Sequence, residues 1–165
     1  VPEGSRRIRP MSHDEAKSYD NYSPEEMEQR ICREDSLKPI EDHPLKPREF
    51  GSIEFHRLIG TRESMILGED GFELLLHKAA PGSGYNAFSR PDKEVLVSHR
   101  GSWQISWRDN EKKGSFVLEA GDLVSIPKDI ERTIELVGNQ NGSLFSVINS
   151  DDSQPPVFDA QHGHR

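Results

Sequence analysis

Residues 82–101 read GSGYNAFSRPDKEVLVSHRG, and this stretch joins turn residues to a short strand pattern. It begins within the turn PGSG at 81–84, where glycine permits the positive φ angles that a reversing chain needs. Its second half contains the strand-like run 93–99, with an apolar centre at 95–97, and ends at another glycine, Gly101. The stretch therefore predicts a strand that is entered and left through glycine turns.

A second stretch, residues 121–136, reads GDLVSIPKDIERTIEL and has the same character. It begins at a glycine, and Pro127 stands at the end of an apolar run, where a strand needs no ladder donor. Similar runs, separated by turn residues, predict strands at 52–59, 64–67, 72–79, 93–99, 102–108, 115–118, 123–126, 132–137 and 143–149. Many short strands without intervening helices indicate an antiparallel sandwich or barrel.

The segment before the strands has a different composition. Ser23, Pro24 and Glu26 form an N-cap, a first-turn proline and a capping box, which predict a helix from 23 to about 33. Met27 and Ile31 are spaced i, i+4 on that helix, as one apolar stripe that would dock on the barrel wall.

The chain divides into three parts by composition. Residues 1–50 are an arm that carries the helix and a connector at 38–49, where Pro39, Pro44 and Pro47 favour extended backbone wrapped over a surface. Residues 51–150 contain all the predicted strands, and residues 151–165 are a polar tail that we expect to act as a loose strap.

Charge and cysteine content exclude several classes of function. The formal net charge of −8 argues against a nucleic-acid partner, because no surplus of Lys and Arg is present to contact phosphates. Cys32 is the single cysteine, so no disulfide forms within the chain. No apolar run approaches the roughly 18 residues of a membrane helix, and no signal peptide is visible. The sequence therefore predicts a cytoplasmic protein without a membrane partner.

The first stretch resembles the first motif of the cupin superfamily, which has the form G-x5-H-x-H-x3-E-x6-G. Gly82, Glu94 and Gly101 fall at the spacing of that motif. Phe88 and Arg90 stand where the motif has its two histidines.

The second stretch resembles the second cupin motif, G-x5-P-x-G-x2-H-x3-N. Gly121 and Pro127 match, while Asp129, Arg132 and Leu136 replace the second glycine, the histidine and the asparagine. The resemblance covers about residues 52–150. It implies an all-β, cupin-type double-stranded antiparallel β-barrel (jelly roll), preceded here by a short N-terminal helix and an extended N-terminal arm.

The resemblance also identifies what this chain has lost. In cupins that bind a metal, the motif residues supply up to three imidazoles and one carboxylate, and only Glu94 remains of these here. Phe88 cannot coordinate a metal, and Arg90 and Arg132 carry a fixed positive charge that repels cations. We therefore predict no metal and no other cofactor.

A guanidinium would then stand where the metal lies in other cupins, paired with Glu94. Some partner for this carboxylate is expected, because an unpaired buried charge is costly. Two interpretations stay open. The pair is either a buried ion pair that fills the vacated space, or part of a pocket in which Arg90 or Arg132 grips a ligand carboxylate.

Further candidates surround these positions. Tyr85 and Asn86 precede the lost histidines and are expected to line the mouth of the barrel, and His77 lies in an apolar strand near the pocket. The predicted ligand-binding residues are thus Tyr85, Asn86, His77, Arg90, Glu94 and Arg132, with Glu94 also the candidate catalytic group. Other residues with weaker signals are His99 near a strand end, the tail pair His162 and His164, and the apolar positions Trp103 and Trp107 as a core or subunit-interface stripe.

Two classes of function fit this pattern. The first is a metal-free cupin that binds a small organic ligand, with anions among the candidates, or that serves as the non-catalytic small subunit of a larger enzyme such as a ring-cleaving dioxygenase. The alternative is a stand-alone cupin enzyme that uses Glu94, either a metal-independent isomerase or epimerase with His77 or Tyr85, or a dioxygenase with unusual ligands. A homodimer, or a heteromer with the larger subunit, is expected.

Overall fold

Short strands bounded by turns make up most of the structure, a computed structural model that describes residues 22–68, 70–150 and 153–158. The strands are β1 (Ile53–Gly60), β2 (Ile66–Leu67), β3 (Glu73–Ala79), β4 (Glu94–Arg100), β5 (Ser102–Asp109), β6 (Lys112–Leu118), β7 (Leu123–Ile126), β8 (Glu131–Val137) and β9 (Gly142–Ile148). Every predicted strand is present, with β7 at its predicted bounds and β6 beginning three residues earlier. The arm 1–21 and the tail pair His162 and His164 lie outside the described residues.

The strands form two sheets. One has the order β2-β1-β3-β9-β4-β7 and the other the order β6-β5-β8, and every pairing is antiparallel except the short β1–β2 pair. The sheets face each other, because inward side chains from both meet in one apolar cluster that includes Leu96, Leu144, Trp103 and Ile134. The space between the sheets is called the interior below. This two-sheet arrangement agrees with the all-β jelly roll that the motifs predict.

An extended segment, residues 84–89, joins the two sheets on one side. Gly84 and Phe88 form bridges to Glu135 and Arg132 of β8. Gly84 permits this close approach, since a Cβ atom there would lie 2.8 Å from the carbonyl oxygen of Ile134. The segment therefore lies against β8 like an additional strand and carries Phe88 into the interior.

The N-terminal helix is shorter than predicted. It runs over α1 (Pro24–Glu28), with the predicted capping box formed by Ser23 and Glu26. After Glu28 the chain tightens, and the amide of Ile31 donates to the carbonyl of Glu28 three residues back, at 3.3 Å. So short a helix gains little from its own hydrogen bonds. Met27 and Ile31 are 50% and 47% exposed, so the predicted apolar stripe against the barrel wall is wrong.

Both ends of the described chain are tied to the segment 84–89. The connector runs extended beside it, where Arg48 donates its amide to Gly84 and Asn86 to Lys46, at 2.8 and 2.9 Å. On its other side Val157 and Ser89 exchange two backbone hydrogen bonds. The connector therefore wraps the surface as predicted, and residues 153–158 strap the same region.

Burial decides between the two roles predicted for Trp103, a core position or part of a subunit-interface stripe. Trp103 is fully buried and belongs to the apolar core. Inward alternation along β5 explains this, since Trp103 pairs with Leu118 and Leu136 on the side that faces the other sheet. Within the described ranges, no helix has the length and apolar composition that crossing a membrane requires.

Candidate functional site

Glu94 is the first residue of β4, and its side chain points into the interior, with the residue 1% exposed. Both carboxylate oxygens have partners. Arg132 donates from Nη2 to Oε2, and the hydroxyl of Ser146 donates to Oε1. Ser146 reaches this position because Glu94 pairs with Ile148 on β9, which makes Ser146 its diagonal neighbour on the same face. The predicted pairing of Glu94 with Arg132 is thus present.

Arg132 comes from the opposite sheet, near the start of β8, and its side chain is fully buried. Besides its bond to Glu94, it donates from Nη1 to the carbonyl of Ile130 at 2.9 Å. Its guanidinium carbon lies 4.6 Å from the centre of the Phe88 ring. In the motif alignment, Phe88 and Arg132 each stand at the position of a histidine. The face of the Phe88 ring stabilises the Arg132 cation.

Arg90 is also buried, with the residue 2% exposed, but it is poorly paired. Its Nε lies 3.5 Å from Glu94 Oε1, and its guanidinium carbon lies 5.5 Å from the Phe88 ring. Within the described residues, neither Nε nor Nη2 of Arg90 has a hydrogen-bond partner. Arg90 therefore brings two donor nitrogens, with three N–H groups in all, into the interior without a partner among the described residues.

Asp129 holds the backbone beneath Arg90. It occupies the position of the second motif's glycine, and it keeps a left-handed φ of 64°. Its amide donates to the carbonyl of Arg90 at 2.7 Å. Asp tolerates this conformation better than most residues, so the turn survives the loss of the glycine.

The charges in this cluster do not balance. Burial alone raises the pKa of Glu94, but the charges of Arg90 and Arg132, together with the hydrogen bonds from Ser146 and Arg132, lower this pKa to about 2. Burial lowers the pKa of Arg132, and Glu94 opposes that change. With Glu94 ionised, two guanidiniums face one carboxylate.

Another buried carboxylate, Glu73, does not neutralise the surplus. It lies on β3, with the residue 1% exposed, and accepts a hydrogen bond from the Ser153 hydroxyl at 2.8 Å. Among the residues that the structure describes, no ion pair joins Glu73 to Arg90 or Arg132. The cluster therefore keeps one unneutralised cation, and Arg90 is the less well paired of the two.

A chain of three polar rings lies beside the charges. Tyr85 Oη is 2.6 Å from His77 Nδ1 and 3.1 Å from His43 Nε2. Burial lowers the pKa of His77 to about 3 and that of His43 to about 4, so both imidazoles are neutral near pH 7. Burial also raises the pKa of Tyr85, so the phenol keeps its proton.

The predicted site residues fall into two groups. Arg90, Glu94 and Arg132 meet directly, and Tyr85 and His77 lie near enough that the charges of Arg90 and Glu94 affect their pKa values. Asn86 does not join them. Its side chain is exposed because the neighbouring Tyr85 takes the inward position in this extended segment.

His99 lies near the end of β4, as predicted, where it is exposed and contacts the Ser143 hydroxyl at 3.0 Å. Ser146 and His43 belong to the cluster but were missed. Ser146 has a readable signal, a polar residue in the inward register of a strand that is otherwise apolar there. His43 has none, because it reaches the interior from the connector.

An open groove of about 670 Å³ lies beside the start of β8, where Arg132 forms part of its lining. Ala87 and Trp107 line it, with Arg108 and Lys113 at its basic side. Trp107 lies against Gly114, where a Cβ atom would come within 3.0 Å of the indole nitrogen. Glycine at this position therefore lets the indole lie close over β6 and form one wall of the groove.

The interior donor set does not suit a divalent cation. Both oxygens of Glu94 are already engaged, and the remaining motif positions hold a phenylalanine and two guanidiniums. No group of three His, Cys, Asp or Glu side chains with metal-binding placement occurs in the described part of the chain. What the cluster offers instead is positive charge and N–H donors, which suit an anion.

Comparison with known proteins agrees with the fold. No protein-family model matches the chain, and no curated protein matches its sequence. An oxalate oxidase in complex with the substrate analogue glycolate matches with a TM-score of 0.57 and 20% identity, over 64% of this chain and 54% of that one. The polyketide cyclase RemF from Streptomyces resistomycificus matches with a TM-score of 0.61 and 16% identity, over 79% of this chain and 87% of that one. Vicilin from Corylus avellana (hazelnut) matches with a TM-score of 0.51 and 23% identity, over 68% of this chain and 33% of that one.

These similarities establish the cupin fold that the two motifs predict. The chain spans about half the length of the oxalate oxidase. The neighbours include an oxidase, a decarboxylase, a cyclase and a vicilin, so the shared fold does not select one activity.

Proposed function

We propose that this chain is a metal-free binding protein of cupin fold, and that its interior binds a small organic anion at Arg90. The observation that carries the proposal is the surplus of charge between the sheets. Glu94 already accepts hydrogen bonds from Arg132 and Ser146, whereas Arg90 is 2% exposed and has two donor nitrogens without a partner among the described residues.

An anion would remove an energetic cost that the fold otherwise carries. A buried cation without a hydrogen-bonded partner loses its hydration and gains too little in return. A ligand carboxylate accepts charge-assisted hydrogen bonds from a guanidinium, with a geometry that fits its planar fork. The overall negative charge of the chain does not oppose this, because short-range contacts in the interior outweigh screened charges on the surface.

The groove beside Trp107 lies next to this region. It is open to the outside and Arg132 forms part of its lining, although the side chain of Arg132, which contacts Glu94 and the Phe88 ring, is itself fully buried. Lys113 and Arg108 lie along it, and Arg108 is paired with Glu131 at 2.6 Å. A basic approach to a buried cation favours entry of anions.

Two of the structural neighbours give a fold-level analogy. They are the oxalate oxidase in complex with glycolate and a Lactobacillus farciminis oxalate decarboxylase described as a formate complex. Both compounds are small carboxylates. Both proteins have low sequence identity to this chain, so the anion site proposed here depends on Arg90 and not on the similarity.

We favour binding over stand-alone catalysis because of the state of Glu94. A general acid must carry a proton and a general base must be free to accept one. With a pKa of about 2 and both oxygens hydrogen-bonded, Glu94 does neither readily near neutral pH. A role as the small subunit of a larger enzyme stays a prediction, as does a homodimer, and neither conflicts with an anion site.

The proposal is tested by a thermal-shift screen of the purified protein with acetate, propionate, benzoate and oxalate. Acetamide, propionamide and benzamide serve as neutral counterparts of the monocarboxylates. We expect at least one carboxylate to raise the melting temperature of the wild type while its amide does not. We expect Arg90→Met to abolish that shift.

Arg48→Met is the matched control variant. It removes one positive charge from a half-exposed arginine that pairs with Glu135 on the surface, so the net charge changes equally. Its response to carboxylates should equal that of the wild type. A wild type that responds to none of the carboxylates, or a shift that persists in Arg90→Met, would overturn the proposal.

A further inference from the structure

The three polar rings beside Arg90 form a hydrogen-bond chain whose direction the structure determines. It begins at the backbone amide of Leu45, which donates to His43 Nδ1 at 3.1 Å. Leu45 is 1% exposed and packed in the core, so this amide is fixed in place. A nitrogen that accepts from an amide carries no proton, and a neutral imidazole has one N–H, so the proton of His43 is on Nε2.

The next two steps follow from the same count of protons. His43 Nε2–H can only donate, and its neighbour at 3.1 Å is Tyr85 Oη. The phenol therefore accepts from His43, and its own hydrogen is directed to His77 Nδ1, 2.6 Å away. His77 Nδ1 accepts, so the proton of neutral His77 is on Nε2.

The hydrogen-bond chain ends at His77 Nε2–H, a donor without an acceptor among the described residues. His77 is 1% exposed, and within the described residues its Nε2 has no hydrogen-bond partner. A buried N–H group without an acceptor costs free energy comparable to a lost hydrogen bond. Phe55 packs edge-on against the His77 ring at 5.1 Å, so the ring has neighbours that hold its orientation.

His77 and Arg90 serve the same region. His77 Nδ1 lies 2.6 Å from Tyr85 Oη, the Tyr85 ring meets the Phe88 ring edge-on at 6.4 Å, and the guanidinium carbon of Arg90 lies 5.5 Å from that Phe88 ring. The interior thus contains charged donors without acceptors among the described residues on Arg90 (Nε and Nη2) and on Arg132 (Nε), and a neutral one on His77. A single ligand that satisfies both must carry an anionic group and a separate neutral acceptor.

We propose that His77 Nε2–H is the specificity-determining donor of this site, and that the ligand is a carboxylate with a second oxygen acceptor, an oxo- or hydroxycarboxylate. The proposal rests on the proposed function, because it assumes that Arg90 holds the carboxylate. Tyr85 and His43 are positioning residues. The hydrogen-bond chain starts at His43 in the connector, passes through Tyr85 and fixes the tautomer of His77. The connector is thereby part of the site, although it precedes the first strand.

The first test needs no ligand. Long-range ¹⁵N–¹H spectra of the imidazole rings distinguish the two neutral tautomers and the cation. We expect His77 and His43 to be Nε2–H tautomers at pH 7, and Tyr85→Phe to leave His77 in a mixture of tautomers. An Nδ1–H or a cationic His77 in the wild type would overturn the proposal.

The second test uses matched ligands in calorimetric titrations. Propionate, lactate and pyruvate share three carbons and differ in the oxygen at the second carbon, and butyrate and 3-hydroxybutyrate test the next position. We expect one oxygen-bearing acid to bind the wild type about tenfold more tightly than its parent acid. His77→Phe should bind parent and oxygenated acids equally, whereas His99→Gln, which changes an exposed histidine, should keep the preference.

The outcomes separate the two proposals. If parent and oxygenated acids bind the wild type equally, the role of His77 is wrong and anion binding at Arg90 stands. If no acid binds, both fail. If His77→Phe is unstable, Tyr85→Phe replaces it, since loss of the tautomer should reduce the same preference. A wild-type preference that Tyr85→Phe leaves unchanged would then contradict the proposal.

Discussion

Arg90 Nε approaches Glu94 Oε1 to 3.5 Å but forms no hydrogen bond with it. The two residues are four positions apart, and both are almost completely buried. Glu94 instead accepts its hydrogen bonds from Arg132 and Ser146. Arg90 therefore carries the surplus positive charge of the interior, while Arg132 is the hydrogen-bonded partner of Glu94.

This division of roles predicts opposite effects on stability. Arg132→Met should lower the free energy of unfolding by about 3–5 kcal/mol, because it leaves a buried carboxylate without its bonded cation. Arg90→Met should leave the free energy of unfolding unchanged or raise it, because the remaining Arg132–Glu94 pair is neutral. Chemical denaturation of both variants, with Arg48→Met as the surface control, measures the difference. Equal losses in the two buried variants would contradict the assignment.

A second prediction concerns Ser146. Ser146→Ala should lower the free energy of unfolding by about 1.5–3 kcal/mol, because a hydrogen bond to a charged group is lost and Oε1 of Glu94 keeps only the distant Arg90. It should also raise the pKa of Glu94, since the Ser146 hydroxyl is one of the groups that lower it. The first quantity is read from denaturation curves and the second from ¹³C NMR of the carboxyl carbon.

Ser143→Ala on the same strand is the control for Ser146. Its hydroxyl contacts exposed His99 at 3.0 Å, so we expect a smaller loss of stability and no change in the pKa of Glu94. Comparable effects at the two serines would argue against a special contact between Ser146 and Glu94.

The buried neutral histidine predicts loss of stability in acid. The pKa of His77 is about 3 in the folded chain and near the ordinary value of 6.5 when unfolded, so between these values the unfolded chain binds the extra proton. The resulting stabilisation is complete above pH 6.5 and is lost as the pH falls towards 3. The slope for this group is roughly 1 kcal/mol per pH unit. Glu94 contributes a further loss of stability as the pH falls from 4.5, the ordinary pKa of the carboxyl, to about 2, its pKa in the folded chain.

Denaturation curves between pH 7 and pH 4.5 isolate the histidine contribution. His77→Gln should show a flatter dependence than the wild type, because glutamine does not titrate. His99→Gln, at an exposed position, should follow the wild type. Identical slopes for wild type and His77→Gln would show that His77 is not held neutral by burial.

Asp129 gives a prediction about the backbone. Its φ of 64° lies in the left-handed region, where a non-glycine residue costs roughly 1–2 kcal/mol relative to the right-handed one. Asp129→Gly should therefore raise the free energy of unfolding by about 0.5–1 kcal/mol, and Asp129→Val should lower it. Its backbone bond to Arg90 stays in both variants, so anion binding should change little. A destabilised Asp129→Gly would mean that the Asp129 side chain has a role of its own.

Much of the fold could be predicted from the sequence, because its signals are local. The strand runs, the glycine turns and the capping box at Ser23 and Glu26 each depend on neighbouring residues, and each is present. The predicted helix length was wrong for a related reason. A capping box begins a helix, but the helix continues only where its apolar face is buried, and Met27 and Ile31 stay about half exposed.

The site could be predicted only where the two motifs specify it. Their spacing places Glu94 and Arg132 together, 38 residues apart. It does not show that Arg90 lacks a partner, because this depends on how side chains pack. His43 lies 42 residues from Tyr85, in a proline-rich connector without periodicity, so no sequence pattern connects the two.

Binding of an anion at the poorly paired guanidinium of Arg90 is tested most directly by arginine side-chain NMR. Buried Nε–H groups give ¹⁵N–¹H signals, and Arg90→Met assigns the signal of Arg90 by its absence. During titration with carboxylates that include propionate, lactate and pyruvate, we predict a saturable shift of the Arg90 Nε–H signal, with the signal of Arg48 unaffected. An Arg90 signal that stays in place at carboxylate concentrations that shift exposed arginines would contradict the account.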